Sequence, residues 1–281
     1  MPFGHRRIEI GLMLRDAMFV NGILCNSEAW HSISNKNIAD LEIMDRMLLR
    51  YITNSYAKVQ TEFLYLETGT TPLRQVINNR RMMYLQNILK RPQNEILRKV
   101  YQSQKENPVD GDWVNYVKNN FEEVGMVFDE EAIMSESKYN YKKEVKTTFE
   151  KLKQTQAGHS KISHLCYKSF QTQEYLKSHK LNNHEVSLLF SLRSRTARDF
   201  KGNFPFYVNQ LCPMGCSEID TQEHILQCDK VYPENVRDSN ISYMDIFSDN
   251  IDKQAALAKL FVTLLGGGRT PVLLRLPVAV I

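Results

Sequence analysis

Glycine (12) and proline (9) are scarce in this chain of 281 residues, too few for the many tight turns of a β-sandwich or barrel. No stretch approaches the eighteen or more uninterrupted apolar residues of a membrane span. The first residues, MPFGHRRIEI, lack the apolar run of a secretory signal. Both absences point to an intracellular, reducing compartment, cytoplasm or nucleus. Chemistry-bearing motifs are missing as well. There is no P-loop, no G-x-G-x-x-G and no nucleophile elbow. No adjacent pair of aspartates follows Tyr, Phe or Ala in an apolar hairpin, as the two-metal site of a polymerase requires. His5, His31, His159, His164, His179 and His184 are scattered without partners. Neither catalysis nor a small-molecule substrate is expected.

What the chain does have is helical periodicity. At 42% apolar and 24% charged, its composition suits a helix-rich globular protein, long enough for one large domain or two modest ones. Residues 7–24 read as a buried helix broken near Gly22. Asn35 caps a second helix, with Ile38, Leu41, Met44, Leu48 and Ile52 along one face and Asp40, Asp45, Arg46 and Arg50 on the surface. A short helical turn about residues 63–66 leads to Gly69. Thr71-Pro72 opens the longest clear helix, with proline at its first position, where the missing N–H costs nothing. Leu73, Val76, Ile77, Tyr84, Leu85 and Ile88 are its apolar face, and Pro92 stops it. Helices follow at about 95–105 and from Trp113 to a glycine stop at Gly125. Residues 129–153, acidic first and basic last, suit one long exposed helix, and 154–160 read as a linker. Further helices are expected around 162–176, 185–195, 241–247 and 254–265. The glycine-rich end, GGGRTPVLLRLPVAVI, shows no periodicity.

The net charge of +4 conceals an asymmetry. Residues 138–201 hold fourteen Lys/Arg against five Asp/Glu, whereas residues 216–252 hold two against nine. A basic middle suits an anionic partner such as RNA or DNA, although lysines also solvate ordinary helix surface. Arg193, Arg195, Arg198 and Lys201 gather cationic charge before residue 212, and Arg80 and Arg81 stand in the arginine-rich helix after Pro72. These six are the candidate phosphate contacts.

The sharpest signal is LCPMGCSEIDTQEHILQCDK, residues 211–230. Cys212, Cys216, His224 and Cys228 form a C-x3-C-x7-H-x3-C pattern that uses three of the five cysteines. Three thiolates and an imidazole at this spacing suit a structural, tetrahedral zinc site. Pro213 and Gly215 let the chain fold back between the first two thiols. Asp220 and Glu223 form a capping-box pattern for a helix carrying His224 and Cys228 one turn apart. A disulfide reading leaves one thiol over.

Taken in order, these landmarks resemble part of a non-LTR retrotransposon reverse transcriptase, the region C-terminal to its catalytic palm. The likeness is carried by NSEAW (26–30), LEIMDRMLLR (41–50), ETGTTPLRQVINNRRMMYLQNIL (67–89), ENPVDGDWV (106–114) and LLFSLRSRT (188–196) running into CPMGC and HILQC. It spans the chain to about residue 265. The resemblance implies a helical thumb, a basic helical linker and a Cys-Cys-His-Cys knuckle whose ligands match Cys212, Cys216, His224 and Cys228. Fingers, palm and endonuclease have no counterpart here, which implies a truncated, non-catalytic fragment.

The expected architecture is therefore all-α: an irregular helical bundle or bundles with a small zinc-knuckle module near the C-terminus. Its segments would be a thumb-like 1–60, a linker domain 61–153, a basic helical 161–205, a knuckle 206–235, terminal helices 236–265 and a tail 266–281. Two functions compete. One is nucleic-acid binding through basic helices; the other is a zinc-stapled structural or protein-interaction module.

Overall fold

A computed structural model describes residues 7–30, 33–55, 59–158, 171–197, 211–212, 214–219 and 221–266. Among them the fold is all-α, and the only β pairing is an isolated antiparallel bridge between Leu211 and Ile219. The chain divides into two compact units that regroup the six consecutive segments read from the sequence. One unit comprises Gly11–Leu49 and Thr61–Thr172; the other comprises Met1–Ile10, Arg50–Gln60 and Gln173–Ile281. The helices are α1 (Arg7–Leu14), α2 (Asn21–Ile23), α3 (Asn35–Thr53), α4 (Thr61–Thr68), α5 (Leu73–Leu89), α6 (Ile96–Glu106), α7 (Trp113–Glu123), α8 (Glu130–Ser135), α9 (Lys138–Gly158), α10 (Glu174–Lys177), α11 (Asn183–Arg193) and α12 (Ile251–Gly266).

The first unit is built around α5. Pro72 precedes this helix as its N-cap and does not occupy its first turn. The expected single apolar face proves too narrow: Gln75, Asn78, Arg81 and Gln86 are buried together with Leu73, Ile77, Met82 and Leu85. Helices α6, α7, α8 and α9 surround it, so its polar side chains must find partners inside. Gln86 does so by donating from Nε2 to the Ile133 and Glu136 carbonyls, both at 3.1 Å, which satisfies the end of α8. Gly125 ends α7 as expected, with φ +70° and a bond from the Met126 N–H to the Phe121 carbonyl at 2.8 Å.

Residues 129–153 do not form one exposed helix. The chain is extended at Glu136, and α9 restarts with Ser137 Oγ accepting from the Asn140 N–H at 3.1 Å. Tyr141, Val145 and Phe149, four residues apart, bury one side of α9 in the core. The helix then runs on to Gly158, through the first part of the expected linker.

The N-terminal helix is likewise not interrupted at Gly22. A π-helical stretch (Arg15–Val20) joins α1 directly to α2, and Met13, Leu14 and Met18 face solvent. Helix α3 is capped by Ser34 rather than Asn35, its hydroxyl accepting from the Asn37 N–H at 3.1 Å. Its inner face is also rotated: Met44 is exposed, whereas Asp45, expected on the surface, is 0% exposed. Asp45 accepts a two-pronged hydrogen bond from Arg15 (Nε to Oδ1 2.6 Å, Nη2 to Oδ2 2.7 Å) and a third from the Tyr65 hydroxyl at 3.1 Å. The carboxylate therefore enters the core fully partnered.

Helix α4 is buried from Phe63 to Thr68. Gly69 follows at φ +66°, where an added Cβ would lie 2.3 Å from the Thr172 backbone nitrogen. No larger residue fits that approach, which Thr172 Oγ1 secures by donating to the Thr68 carbonyl at 2.9 Å.

In the second unit, α11 opens at a capping box. Asn182 Oδ1 accepts from the His184 and Glu185 N–H groups, and Glu185 returns a bond to the Asn182 N–H. Leu189 and Phe190 of α11 are fully buried, as are Leu257 and Phe261 of α12, which packs against it. A 3₁₀ turn (Tyr243–Phe247) precedes α12. Of the helix expected over 162–176, residues 162–170 lie outside the described residues and the remainder is helical only from Glu174, in α10. Of the expected tail 266–281, Gly266 ends α12 and residues 267–281 lie outside the described residues.

Candidate metal centre

The four predicted ligands meet. Cys212, Cys216, His224 and Cys228 bring one ligand atom each to within 4.8 Å of one another, and the group can hold a metal ion. Cys212 and Cys228 sulfurs lie 3.8 Å apart, Cys228 and Cys216 sulfurs 3.7 Å, and His224 Nε2 is 3.0 Å from the Cys216 sulfur. A tetrahedral site with metal–sulfur bonds of ~2.3 Å has sulfur–sulfur edges of ~3.8 Å. The two sulfur pairs already have that spacing.

Local backbone chemistry explains the gathering. The Leu211–Ile219 bridge and the Cys212 N–H to Glu218 carbonyl bond (2.7 Å) close a tight loop. Gly215 (φ +78°) and Ser217 (φ +65°) both adopt the left-handed region that the reversal needs. The backbone N–H groups of Met214 and Glu218 point at the Cys212 and Cys216 sulfurs respectively, supplying hydrogen bonds that favour thiolates. Burial, the largest influence, pushes the Cys212 thiol up to about 11, whereas the Glu218 N–H holds Cys216 below the usual thiol value.

Of the other two ligands, His224 opens a 3₁₀ turn (His224–Leu226) and Cys228 lies two residues past its end, so neither stands on the expected α-helix. The Cys228 N–H to His224 carbonyl bond (2.7 Å) still sets them one turn apart. The Thr221 hydroxyl accepts from the His224 N–H at 3.0 Å, ahead of the turn; Asp220, the cap read from the sequence, lies outside the described residues.

Sequence reasoning missed the residues that hold this loop. The Arg237 guanidinium spans the Tyr232 carbonyl (2.8 Å), the Gln227 carbonyl (2.6 Å) and the Asp229 carboxylate, clamping the chain beyond Cys228. The Tyr243 hydroxyl donates to Gln222 Oε1 at 2.8 Å. Neither residue carries a sequence signal, since the partners are mostly carbonyls and a neutral amide. Four protein ligands complete a tetrahedral ion and leave no position for a substrate or water.

The predicted phosphate contacts are not brought together. Arg193 is buried, donates to the Ile246 carbonyl at 2.5 Å and lies between the Tyr175 and Phe247 rings at 5.3 and 5.7 Å. Arg81 is buried within α5, and Arg80 is engaged with the Leu24 carbonyl and Asn21 Oδ1. Arg81 and Arg193 are buried with their heads among protein groups, which speaks against their reading as phosphate contacts, whereas Arg80 is half-buried. Arg195 is exposed and ion-paired to Glu223 at 3.6 Å. It ends α11 in the left-handed region at φ +55°, with the Thr196 N–H bonded to the Ser191 carbonyl at 2.8 Å. Arg198 and Lys201 lie outside the described residues.

No helix among the described residues is long and apolar enough to cross a membrane. Comparisons with protein-family models, curated proteins and solved structures return no match.

Proposed function

We infer that the chain is a non-catalytic part of a retrotransposon-encoded reverse transcriptase, C-terminal to the palm, that binds RNA or DNA and carries a structural zinc ion. The family reading rests on the ordered stretches quoted above, together with an all-helical fold and a Cys3His group. Zinc is favoured by the donor set: soft thiolates with one imidazole at tetrahedral spacing are its preferred surroundings. Ligation through reduced thiolates suits a reducing compartment.

The observation that carries nucleic-acid binding is the outer surface of α9. Lys138, Lys142, Lys143 and Lys146 are all exposed there, with Glu144 and the partly exposed Glu150 as the nearby carboxylates along the helix. This ridge replaces the buried arginines as the phosphate-contacting surface. Binding of this kind is dominated by the backbone and salt-dependent, each phosphate contact adding about 0.7–0.9 to the slope of log affinity against log salt. Changing the four lysines to glutamine is therefore expected to flatten the slope by about 3–3.5 for RNA or DNA, measured by fluorescence anisotropy at several salt concentrations. An unchanged slope would transfer the argument to the protein-interaction module.

Zinc binding itself has a pH signature. Because the Cys212 thiol is raised to about 11, its proton is still bound at pH 7 and must leave when the sulfur becomes a ligand. Apparent zinc affinity should thus rise with pH across the neutral range. Calorimetric titrations at pH 7 in buffers of different ionisation enthalpy should show about one proton or more released per zinc. A heat independent of buffer would contradict this.

A further inference from the structure

Arg81 stands in the middle of α5 at 2% exposure. Its Nη2 donates to the Trp30 carbonyl at 3.0 Å, and its guanidinium lies 5.3 Å from the centre of the Tyr116 ring. A carbonyl dipole and a ring face carry partial negative charge, but neither is a counter-ion. Nε donates to no protein atom among the described residues, and no carboxylate forms an ion pair with the guanidinium. Burial accordingly lowers the Arg81 pKa. The contrast is Arg15, also buried, where the Asp45 hydrogen bond and charge outweigh burial and raise it.

A second donor lies in the same seam. The Asn78 amide donates to Glu123 Oε2 at 3.1 Å, Arg81 covers Tyr116, and the Tyr84 and Trp113 rings meet edge to face at 5.9 Å. These rungs ascend α5 as they descend α7, so the two helices run antiparallel. Asn120, between Tyr116 and Glu123 on α7, therefore falls opposite the Asn78–Arg81 stretch. It is buried, and its Nδ2 also donates to no protein atom among the described residues. Glu123, the carboxylate at the end of the seam, is exposed and turned to Asn78.

We propose that this part of the α5–α7 seam is a binding site for a small monovalent anion of chloride size, held by Arg81 Nε and Asn120 Nδ2. Two inward donors and a buried positive charge call for an acceptor that also carries negative charge. A water would satisfy the donors and leave the charge unbalanced. At 2% exposure the Arg81 guanidinium is closed to a nucleic-acid phosphate and to bulky oxyanions. The bound ion neutralises the core of the unit, and its affinity adds to that unit's stability.

The test uses the full, metal-loaded chain and thermal unfolding followed by tryptophan fluorescence, since both tryptophans, Trp30 and Trp113, belong to this unit. At equal ionic strength, the midpoint in sodium chloride should exceed that in sodium gluconate by about 2–5 °C, and sodium bromide should behave like chloride. Arg81→Met removes the charge, and Asn120→Asp supplies a built-in carboxylate; each should erase the difference between chloride and gluconate. An anomalous peak beside Arg81 and Asn120 in a bromide-soaked crystal would locate the ion. No difference between the salts in the wild-type chain would overturn the proposal. So would a difference that survives Asn120→Asp, a result that decides the matter even where Arg81→Met fails to fold.

Discussion

Asp45→Ala is expected to destabilise the unit around α5 by about 3–5 kcal/mol, the usual cost of removing one partner from a buried ion pair. The magnitude follows from what would be left behind. Arg15 would keep Asp16 at 2.6 Å and the Thr71 carbonyl at 3.2 Å. It would lose both oxygens of the carboxylate that its Nε and Nη2 address inside the protein. The Tyr65 hydroxyl would lose its acceptor as well. Replacing both partners, Arg15→Met with Asp45→Leu, should recover most of the loss, because an apolar pair carries no desolvation penalty. Urea unfolding followed by the fluorescence of Trp30 and Trp113 measures both variants. A loss below about 1 kcal/mol for Asp45→Ala would mean that the pair is screened as a surface pair is.

Removing the metal should have the second large effect. Structural zinc in finger peptides contributes an apparent ~10–16 kcal/mol, and the loop it organises does not fold without it. Here the loop from Leu211 to Tyr232 is held by one β-bridge, a reversal with two positive-φ residues, the Arg237 and Tyr243 hydrogen bonds and the four ligands. Cys228, 1% exposed, is the most deeply buried of the four. Cys228→Ser, or a strong chelator, is expected to lower bound zinc from about one ion per chain to near none. Amide-exchange protection over residues 211–232 should vanish with it. Protection within α11 and α12 should persist, because these two helices pack on each other and bury Leu189, Phe190, Leu257 and Phe261. Retained zinc in the Cys228→Ser chain would refute the ligand assignment.

The metal group was legible because its information is local. Two cysteines around a proline–glycine turn and a His-x3-Cys pair one turn apart specify a cluster within seventeen residues. Helix ends marked by glycine were legible for the same reason: Gly125 accepts a positive φ at no steric cost. Arg193 was misread because its partners are the Ile246 carbonyl and two aromatic rings, and a backbone carbonyl looks alike at every position of a sequence. Asp45 was misread because its partner lies thirty residues away. The break at Glu136 was missed because the group that bonds its carbonyl, the Gln86 Nε2 donor, lies on α5, fifty residues away.

By itself, then, the amino-acid order determined that the described residues are helical, most of the helix positions, and the four residues whose ligand atoms meet. Periodicity, caps and ligand spacing all act over a few residues, where the backbone geometry is already known. Only the tertiary structure decided which charges are surface and which are core. Arg15, Arg81 and Arg193 are buried, whereas the lysines of α9 face outward. A long cationic side chain can lie either way on a helix. Its choice depends on whether a carboxylate, a carbonyl or a ring from a distant segment arrives to replace water.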